Sequence, residues 1–200
     1  MGRRHERHRR RLGPTPTPPL KGEGLERTLQ NAVAAPVLRP PRARFTARDM
    51  RYFLDTEYNG FGGALISFAL VPEYGDHELY VTLPLPEAVH PWVARNVVPY
   101  LRMVPDGLLH EMTRMEAADE IAHYLAPDPR PAIVADWPED IALFCTLLMP
   151  GPGELAAVPT IEFTLLRAPG FSPAANSKVP HNALHDARAL REHVMTSVGG

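Results

Sequence analysis

The chain has 200 residues, 44% hydrophobic and 22% charged, which favours a single packed domain with room for a tail. No apolar run reaches the about 18 residues that a membrane-spanning helix needs, and the basic start lacks the apolar segment of a secretory signal. The single cysteine, Cys145, excludes a disulfide framework and a cysteine-cluster zinc site, so we expect a cytoplasmic protein without membrane partners.

The charges are divided unevenly along the chain. Residues 1–51 carry 13 Arg and Lys against 4 Asp and Glu, a net charge of +9, whereas residues 52–200 carry 8 against 19, a net charge of −11. Because repulsion and proline oppose folding, residues 1–49 are predicted to be a disordered basic extension, with a weak helix at most over 25–33. Such an extension either binds nucleic-acid phosphates or is a solvated tail. A third interpretation is that translation begins at Met50.

Three strands are predicted first. Residues 51–56 are predicted to form a strand that ends at a glycine-rich stretch, and residues 64–71 are a nearly continuous apolar run typical of a central strand buried on both faces. Residues 77–83 alternate in polarity and predict a third strand. Since both connections are short, we expect an antiparallel meander.

The hydrophobic period then changes to that of helices. Helices are predicted over residues 90–101, 114–125, 138–148 and 182–198, a fourth strand over 131–135, and a further short element over 160–166. The helix from Pro138 has proline in its first turn and acids near its positive end. This order predicts the α/β class, with a mixed sheet flanked by helices.

Asp55 and Glu57 form the first candidate site. Alternation along a strand places both carboxylates on one face, where they repel unless a cation lies between them, and hard divalent cations prefer oxygen ligands. A lone Asp-x-Glu is weak evidence, since Asp76 and Glu78 repeat it in a turn. The position of the first pair, between a buried strand and a glycine-rich stretch, favours a role.

His181 and Asp186 form the second candidate site, at the start of the last predicted helix. An imidazole beside an acidic metal site suits general-base chemistry, because its ordinary pKa lies near neutrality. The structural alternatives are a loop histidine that caps the helix and an exposed acid on an amphipathic helix.

Taken together, these motifs resemble the His-type DEDD 3′–5′ exonuclease superfamily, which includes proofreading exonucleases and oligoribonuclease. The start over residues 50–58 (Met-Arg-Tyr-Phe-Leu-Asp-Thr-Glu-Tyr) and the segment over 181–188 (His-Asn-Ala-Leu-His-Asp-Ala-Arg) are similar to a small bacterial 3′–5′ exoribonuclease family. The stretch from Trp92 to Pro99 is similar to it too. The resemblance covers residues 50–198.

The superfamily also has an aspartate at a helix start. Asp140, with an apolar residue four positions on, fits this pattern, and Asp136 at the end of the fourth strand is the alternative. The resemblance implies a ribonuclease-H-like fold, with five strands in a mixed sheet and the first three antiparallel. It also implies that two Mg²⁺ or Mn²⁺ ions about 4 Å apart are held by four carboxylates, with His181 as the general base. The implied metal ligands are Asp55, Glu57, Asp140 and Asp186.

The implied activity is 3′–5′ exonucleolytic hydrolysis of RNA to nucleoside 5′-monophosphates. The expected substrates are single-stranded RNA or RNA 3′ ends, with DNA as an alternative, and homodimerisation is an expectation from related enzymes. Thr56, Tyr58 and Phe61 are predicted to line the pocket for the terminal nucleotide, the two aromatic rings by stacking. The acidic charge of residues 52–200 counts against a long, tightly held polyanion, and a binding module of this fold without turnover remains the competing hypothesis.

Overall fold

The computed structural model describes residues 50–198, which form a six-stranded mixed sheet with helices on both faces. The predictions for residues 1–49 lie outside this range. The strands are β1 (Arg51–Tyr58), β2 (Leu65–Pro72), β3 (Leu79–Thr82), β4 (Leu109–Glu111), β5 (Ala132–Ala135) and β6 (Glu162–Leu165). The helices are α1 (Pro91–Asn96), α2 (Arg114–Leu125), α3 (Pro138–Leu147), α4 (Pro173–Asn176) and α5 (Ala183–Val198). None of the helices in the described range is long and apolar enough to span a bilayer.

The strands lie side by side in the order β4-β3-β2-β1-β5-β6. The predicted meander is confirmed, because β1 pairs with β2 and β2 with β3, both antiparallel. β5 runs parallel to β1 on its other side, and β6 runs parallel to β5. The strand β2, apolar except for Ser67, is buried along its whole length, as its sequence predicts.

The predicted number of five strands is wrong, because β4 adds a sixth. It has only three residues and runs parallel to β3 at the edge of the sheet, so its own sequence carries no alternating pattern. The helix predicted over residues 90–101 is also interrupted. It ends at Asn96 and is followed by a single 3₁₀ turn, Val98–Tyr100, because Pro99 lacks the N–H that an α-helix would need there.

The sheet separates two apolar layers, and β1 contributes to both. Leu54 packs with the residues of α2 and α3, whereas Phe53 packs with those of α5. Since side chains alternate along a strand, Asp55 and Glu57 share the face of Phe53 and lie on the side of α5. The last helix begins one residue later than predicted, at Ala183.

Candidate metal centre

The acidic side chains meet where β1 and β5 end. These two strands are parallel neighbours, with Phe53 opposite Val134, so the register carried two residues further sets Asp136 beside Asp55. The carboxyl ends of parallel strands open at the same sheet edge, which is where α/β proteins form their clefts. A cleft of about 370 Å³ lies there and is lined by all the predicted metal ligands and His181: Asp55, Glu57, Asp136, Asp140, His181 and Asp186.

The first trio in this cleft is Glu57, His181 and Asp186. One potential ligand atom from each lies within 4.8 Å of the other two. Glu57 is 8% exposed and Asp186 3% exposed, although both are acids. The backbone N–H of His181 donates to Oδ2 of Asp186 at 3.0 Å, which ties the loop to the helix. The helix start thus brings its two candidate residues to β1.

The second trio is Asp55, Asp136 and Asp140, again with ligand atoms within 4.8 Å of one another. Asp140 lies in the first turn of α3 and is 3% exposed. Its Oδ1 accepts a hydrogen bond of 2.6 Å from the hydroxyl of Thr56, on the opposite face of β1 from Asp55. Both candidates for the middle acid, Asp136 and Asp140, therefore lie beside Asp55.

Burial and mutual repulsion make these groups hard to ionise. Burial raises the pKa of Asp55 well above its ordinary value, and the neighbouring carboxylates of Asp140, Asp186, Glu57 and Asp136 raise it further. Burial likewise raises the pKa of Glu57, that of Asp140 to about 7 and that of Asp186 to about 6. Among residues 50–198, no Lys or Arg forms an ion pair with any of these acids.

The donor set fits a hard divalent cation. Every acid offers carboxylate oxygens, which Mg²⁺ and Mn²⁺ prefer, and a +2 charge would offset the repulsion that raises these pKa values. Oδ1 of Asp186 is buried without any hydrogen-bond partner in the described part of the chain, and such orphaned polar atoms are rare in native proteins. A bound cation would supply the partner that the described residues do not. The buried acidic clusters could therefore hold metal ions.

His181 is held in an unusual backbone conformation. Its φ angle of 64° lies in the left-handed region, and within the described range it is the one non-glycine residue there. Its ring meets Trp92 edge-on, with ring centroids 5.0 Å apart. Burial lowers the pKa of His181, so the imidazole is neutral and able to accept a proton at pH 7.

The residues predicted to bind the terminal nucleotide are placed differently from one another. Tyr58 lines the cleft, Phe61 is 96% exposed on the adjacent loop, and the Thr56 hydroxyl is engaged with Asp140. The loop is fastened to α3 by a 2.7 Å hydrogen bond from the Gly62 N–H to Glu139. Gly62 has a φ of 68°, which a residue with a side chain adopts less readily.

Two tryptophans that were not predicted as site residues also adjoin the site. Trp92 is 45% exposed to solvent, and its ring contacts that of His181. Trp137 is 55% exposed and lines the cleft beside Asp136. Trp92 is distant in sequence from the acids, which hides its placement, whereas Trp137 lies between Asp136 and Asp140, a position that indicates the site. Ser172 and Ala174, from the loop and α4, complete the cleft wall.

The sequence matches no protein-family model, and no curated protein is significantly similar to it. What the protein does must therefore be inferred from the side chains that the fold brings together. These are five carboxylates without basic partners among residues 50–198, a neutral imidazole, and aromatic rings around one cleft.

Proposed function

We propose that the protein is a divalent-metal-dependent 3′–5′ exonuclease that acts on RNA and releases nucleoside 5′-monophosphates. We further propose that its sheet belongs to the ribonuclease-H-like fold. The five strands expected for that fold are adjacent in the sheet, and β4 extends it at the edge beyond β3. The observation that carries the proposal is the convergence of two acidic trios from β1, the β5–α3 segment and the α5 start on one cleft.

Each residue has a defined role in this proposal. Glu57 and Asp186 would hold one ion, and Asp55 with Asp140 the other, with Asp136 as the alternative to Asp140. When bound, such ions activate the attacking water and neutralise charge on the phosphate and the leaving oxygen. The neutral imidazole of His181 accepts the proton of the water as its oxygen attacks phosphorus. The bond from phosphorus to the 3′ oxygen breaks, leaving a 5′-monophosphate and a shortened strand.

The cleft is also compatible with a strand end rather than with a duplex. It has about 370 Å³ of space, enough for about one nucleotide, and its rim carries exposed aromatic rings. Trp137, which is 55% exposed, and the half-buried Tyr58 line the cleft, and aromatic rings can stack on a base whatever its sequence. No Lys or Arg among residues 50–198 lines the cleft, so the cleft itself favours short, terminal contacts over a long bound polyanion.

The test is a digestion of 20-residue RNA and DNA oligomers, each labelled at the 5′ or the 3′ end, with Mn²⁺ or with EDTA. We expect a 5′-labelled RNA to give a descending ladder in Mn²⁺ and the 3′ label to appear at once as mononucleotide. A single internal cut would indicate an endonuclease, and a faster DNA ladder a DNA-directed enzyme. Retained binding without cleavage would indicate a binding module, and cleavage in EDTA would contradict the metal requirement.

Matched variants exclude a contaminating nuclease. D186N removes a buried cleft acid of α5, whereas E192Q removes an exposed acid of the same helix, outside the cleft. We expect D186N to lose the ladder and E192Q to keep the wild-type rate. Equal rates for the two variants would contradict the assignment of Asp186.

A further inference from the structure

The buried side chain of Asn182 holds the segment that carries His181 in place through hydrogen bonds. This side chain is 0% exposed and lies directly between His181 and the first residue of α5. Its Oδ1 accepts the backbone N–H groups of Leu184 and His185 at 3.1 and 3.4 Å, which makes it the N-cap of the helix. Its Nδ2 donates to the backbone carbonyl of Tyr100 at 2.8 Å.

The second of these contacts is more than a helix cap requires. Capping uses only the side-chain oxygen, and serine, threonine or aspartate would supply it. The amide nitrogen instead reaches the 3₁₀ turn that follows α1, 82 residues away in sequence. That turn is itself fixed, because the Tyr80 hydroxyl of β3 donates to the next carbonyl, of Leu101, at 2.8 Å. Asn182 thus ties the start of α5 to a rigid part of the sheet.

His181 depends on the hydrogen bond from Asn182 to Tyr100, because its left-handed backbone conformation is unfavourable without support from its surroundings. A histidine at φ 64° is held there only when its surroundings determine it. On one side its N–H is bonded to Asp186, and on the other its chain enters the clamped Asn182. The same helix start is also bonded through His185, whose Nε2 lies 2.9 Å from the Met103 carbonyl. These contacts fix the backbone from which the imidazole reaches the cleft.

The ring of His181 also contacts a side chain of the segment to which Asn182 is bonded. Trp92 of α1 meets the imidazole edge-on, and α1 leads directly into the 3₁₀ turn to which Asn182 is bonded. Trp92 and the carbonyl that receives the Asn182 amide therefore belong to one short segment, residues 91–100. A single displacement of α5 relative to this segment would change both the backbone and the ring position of His181.

We infer that Asn182 is a positioning residue whose amide, through Tyr100, holds His181 in the orientation in which it accepts a proton. This inference rests on the proposed function, since it assigns Asn182 a role in that same reaction. The two polar atoms of Asn182 then have different roles. Oδ1 caps α5, and Nδ2 fixes the orientation of the His181 imidazole through Tyr100.

The variant that separates the two roles is N182S, because serine keeps a capping oxygen but cannot reach Tyr100. N182G is the second variant, since glycine at an N-cap costs little helix stability and likewise removes the tie. We expect kcat to fall about tenfold in both, part of what a general base contributes, with KM for RNA and the Mn²⁺ requirement within about twofold of wild type. T113S, a cap substitution in α2 outside the metal cleft, is the matched control and should keep the wild-type kcat.

Two kinetic signatures distinguish positioning from general damage. The deficit of N182S should shrink as pH rises, because hydroxide replaces the base that is misaligned. Adding N182S to H181A should cause no further loss, since the residue through which Asn182 acts is already absent. A deficit that is constant with pH, or effects that multiply in the double variant, would overturn the inference.

A measurement without metal or substrate keeps this result separate from the fate of the proposed function. The indole N–H resonance of Trp92, assigned with W92F, reports the ring 5.0 Å away, and H181A gives its position when that ring is absent. We expect N182S and N182G to move this resonance towards the H181A position. A wild-type position in both folded variants would overturn the inference, whereas loss of all RNA turnover in the wild type would overturn the proposed function alone.

Discussion

Buried carboxylates lie at both ends of the strands of the sheet. Those at one end are paired with arginines, and those at the other have no basic partner among the described residues. At the end away from the cleft, Glu73 and Glu78 have side chains only 2% and 7% exposed. Arg51 donates two hydrogen bonds to Glu73, and Arg188 binds both oxygens of Glu78. At the cleft end, Asp140 and Asp186 are buried to the same degree without a basic partner among the described residues.

The difference shows which charges the fold uses for stability. Burying a carboxylate is costly unless it is paired, and at the distant end arginines of β1 and α5 provide the pairing. At the cleft end the chain instead leaves several like charges together, which raises their pKa values and destabilises the folded state. A cost of this kind is expected where a ligand supplies the missing charge, which supports the proposal that the cleft end is the functional one.

The largest effect should come from removing a cleft acid. We expect D55N to lower RNA turnover by about 10³-fold or more, the size of effect seen when a preorganised charge-stabilising group is removed. In EDTA its Tm should equal or exceed that of wild type, because one repelling charge is gone. Digestion of radiolabelled RNA measures the loss of turnover, and differential scanning calorimetry measures the Tm. Activity within about tenfold of wild type would contradict the role of Asp55.

A smaller difference should separate the two middle acids. We expect D140N to lose more turnover than D136N, because Asp140 is the buried member and is oriented by the Thr56 hydroxyl. Steady-state rates of both variants at saturating Mn²⁺ decide this. Wild-type turnover in D140N, together with a large loss in D136N, would reverse the assignment.

At the opposite end the effect should be on stability. E78Q leaves Arg188 without its carboxylate, and we expect a loss of about 2 kcal/mol, below the 3–5 kcal/mol of a fully buried pair because the arginine is partly exposed. That corresponds to a fall in Tm of about 4–8 °C. E192Q on the same helix should change Tm little. If E78Q were as stable as wild type, the claim that the paired carboxylates away from the cleft stabilise the fold would be contradicted.

The smallest effect should be the pH dependence of the metal-free protein. The pKa of Asp140 is raised to about 7 and that of Asp186 to about 6, so protonation favours the folded state. Stability in EDTA should therefore increase as pH falls from 8 towards 5.5, by about 1 kcal/mol or more, a rise in Tm of about 2–4 °C. The rise should shrink in D140N. A Tm that falls over this range in wild type would contradict unpaired acids in the cleft.

Local patterns were sufficient for the parts of the site that a single element forms. Alternation along β1 placed Asp55 and Glu57 on one face, and the proline and acids of α3 placed Asp140 in its first turn. The helix α2 was predicted with its observed ends from its period, and the structure shows that Thr113 caps it. In each case the determinant lies within a few residues of the element itself.

The features that were missed depend on residues distant in sequence. β4 exists only through its pairing with β3, because its three residues carry no alternating pattern of their own. The contact of Trp92 with His181 and the bond from Asn182 to Tyr100 each join segments more than 80 residues apart. Periodicity contains no information about such contacts, because packing between elements determines them.

The most direct test of a metal centre in this cleft is anomalous diffraction from crystals soaked in Mn²⁺. We predict two strong anomalous peaks, one beside Glu57 and Asp186 and the other beside Asp55 and Asp140, both lost in crystals of D55N/D186N. Crystals that show no peak between these carboxylates, or peaks only at other surfaces, would contradict the claim that the cleft acids are gathered to hold metal ions.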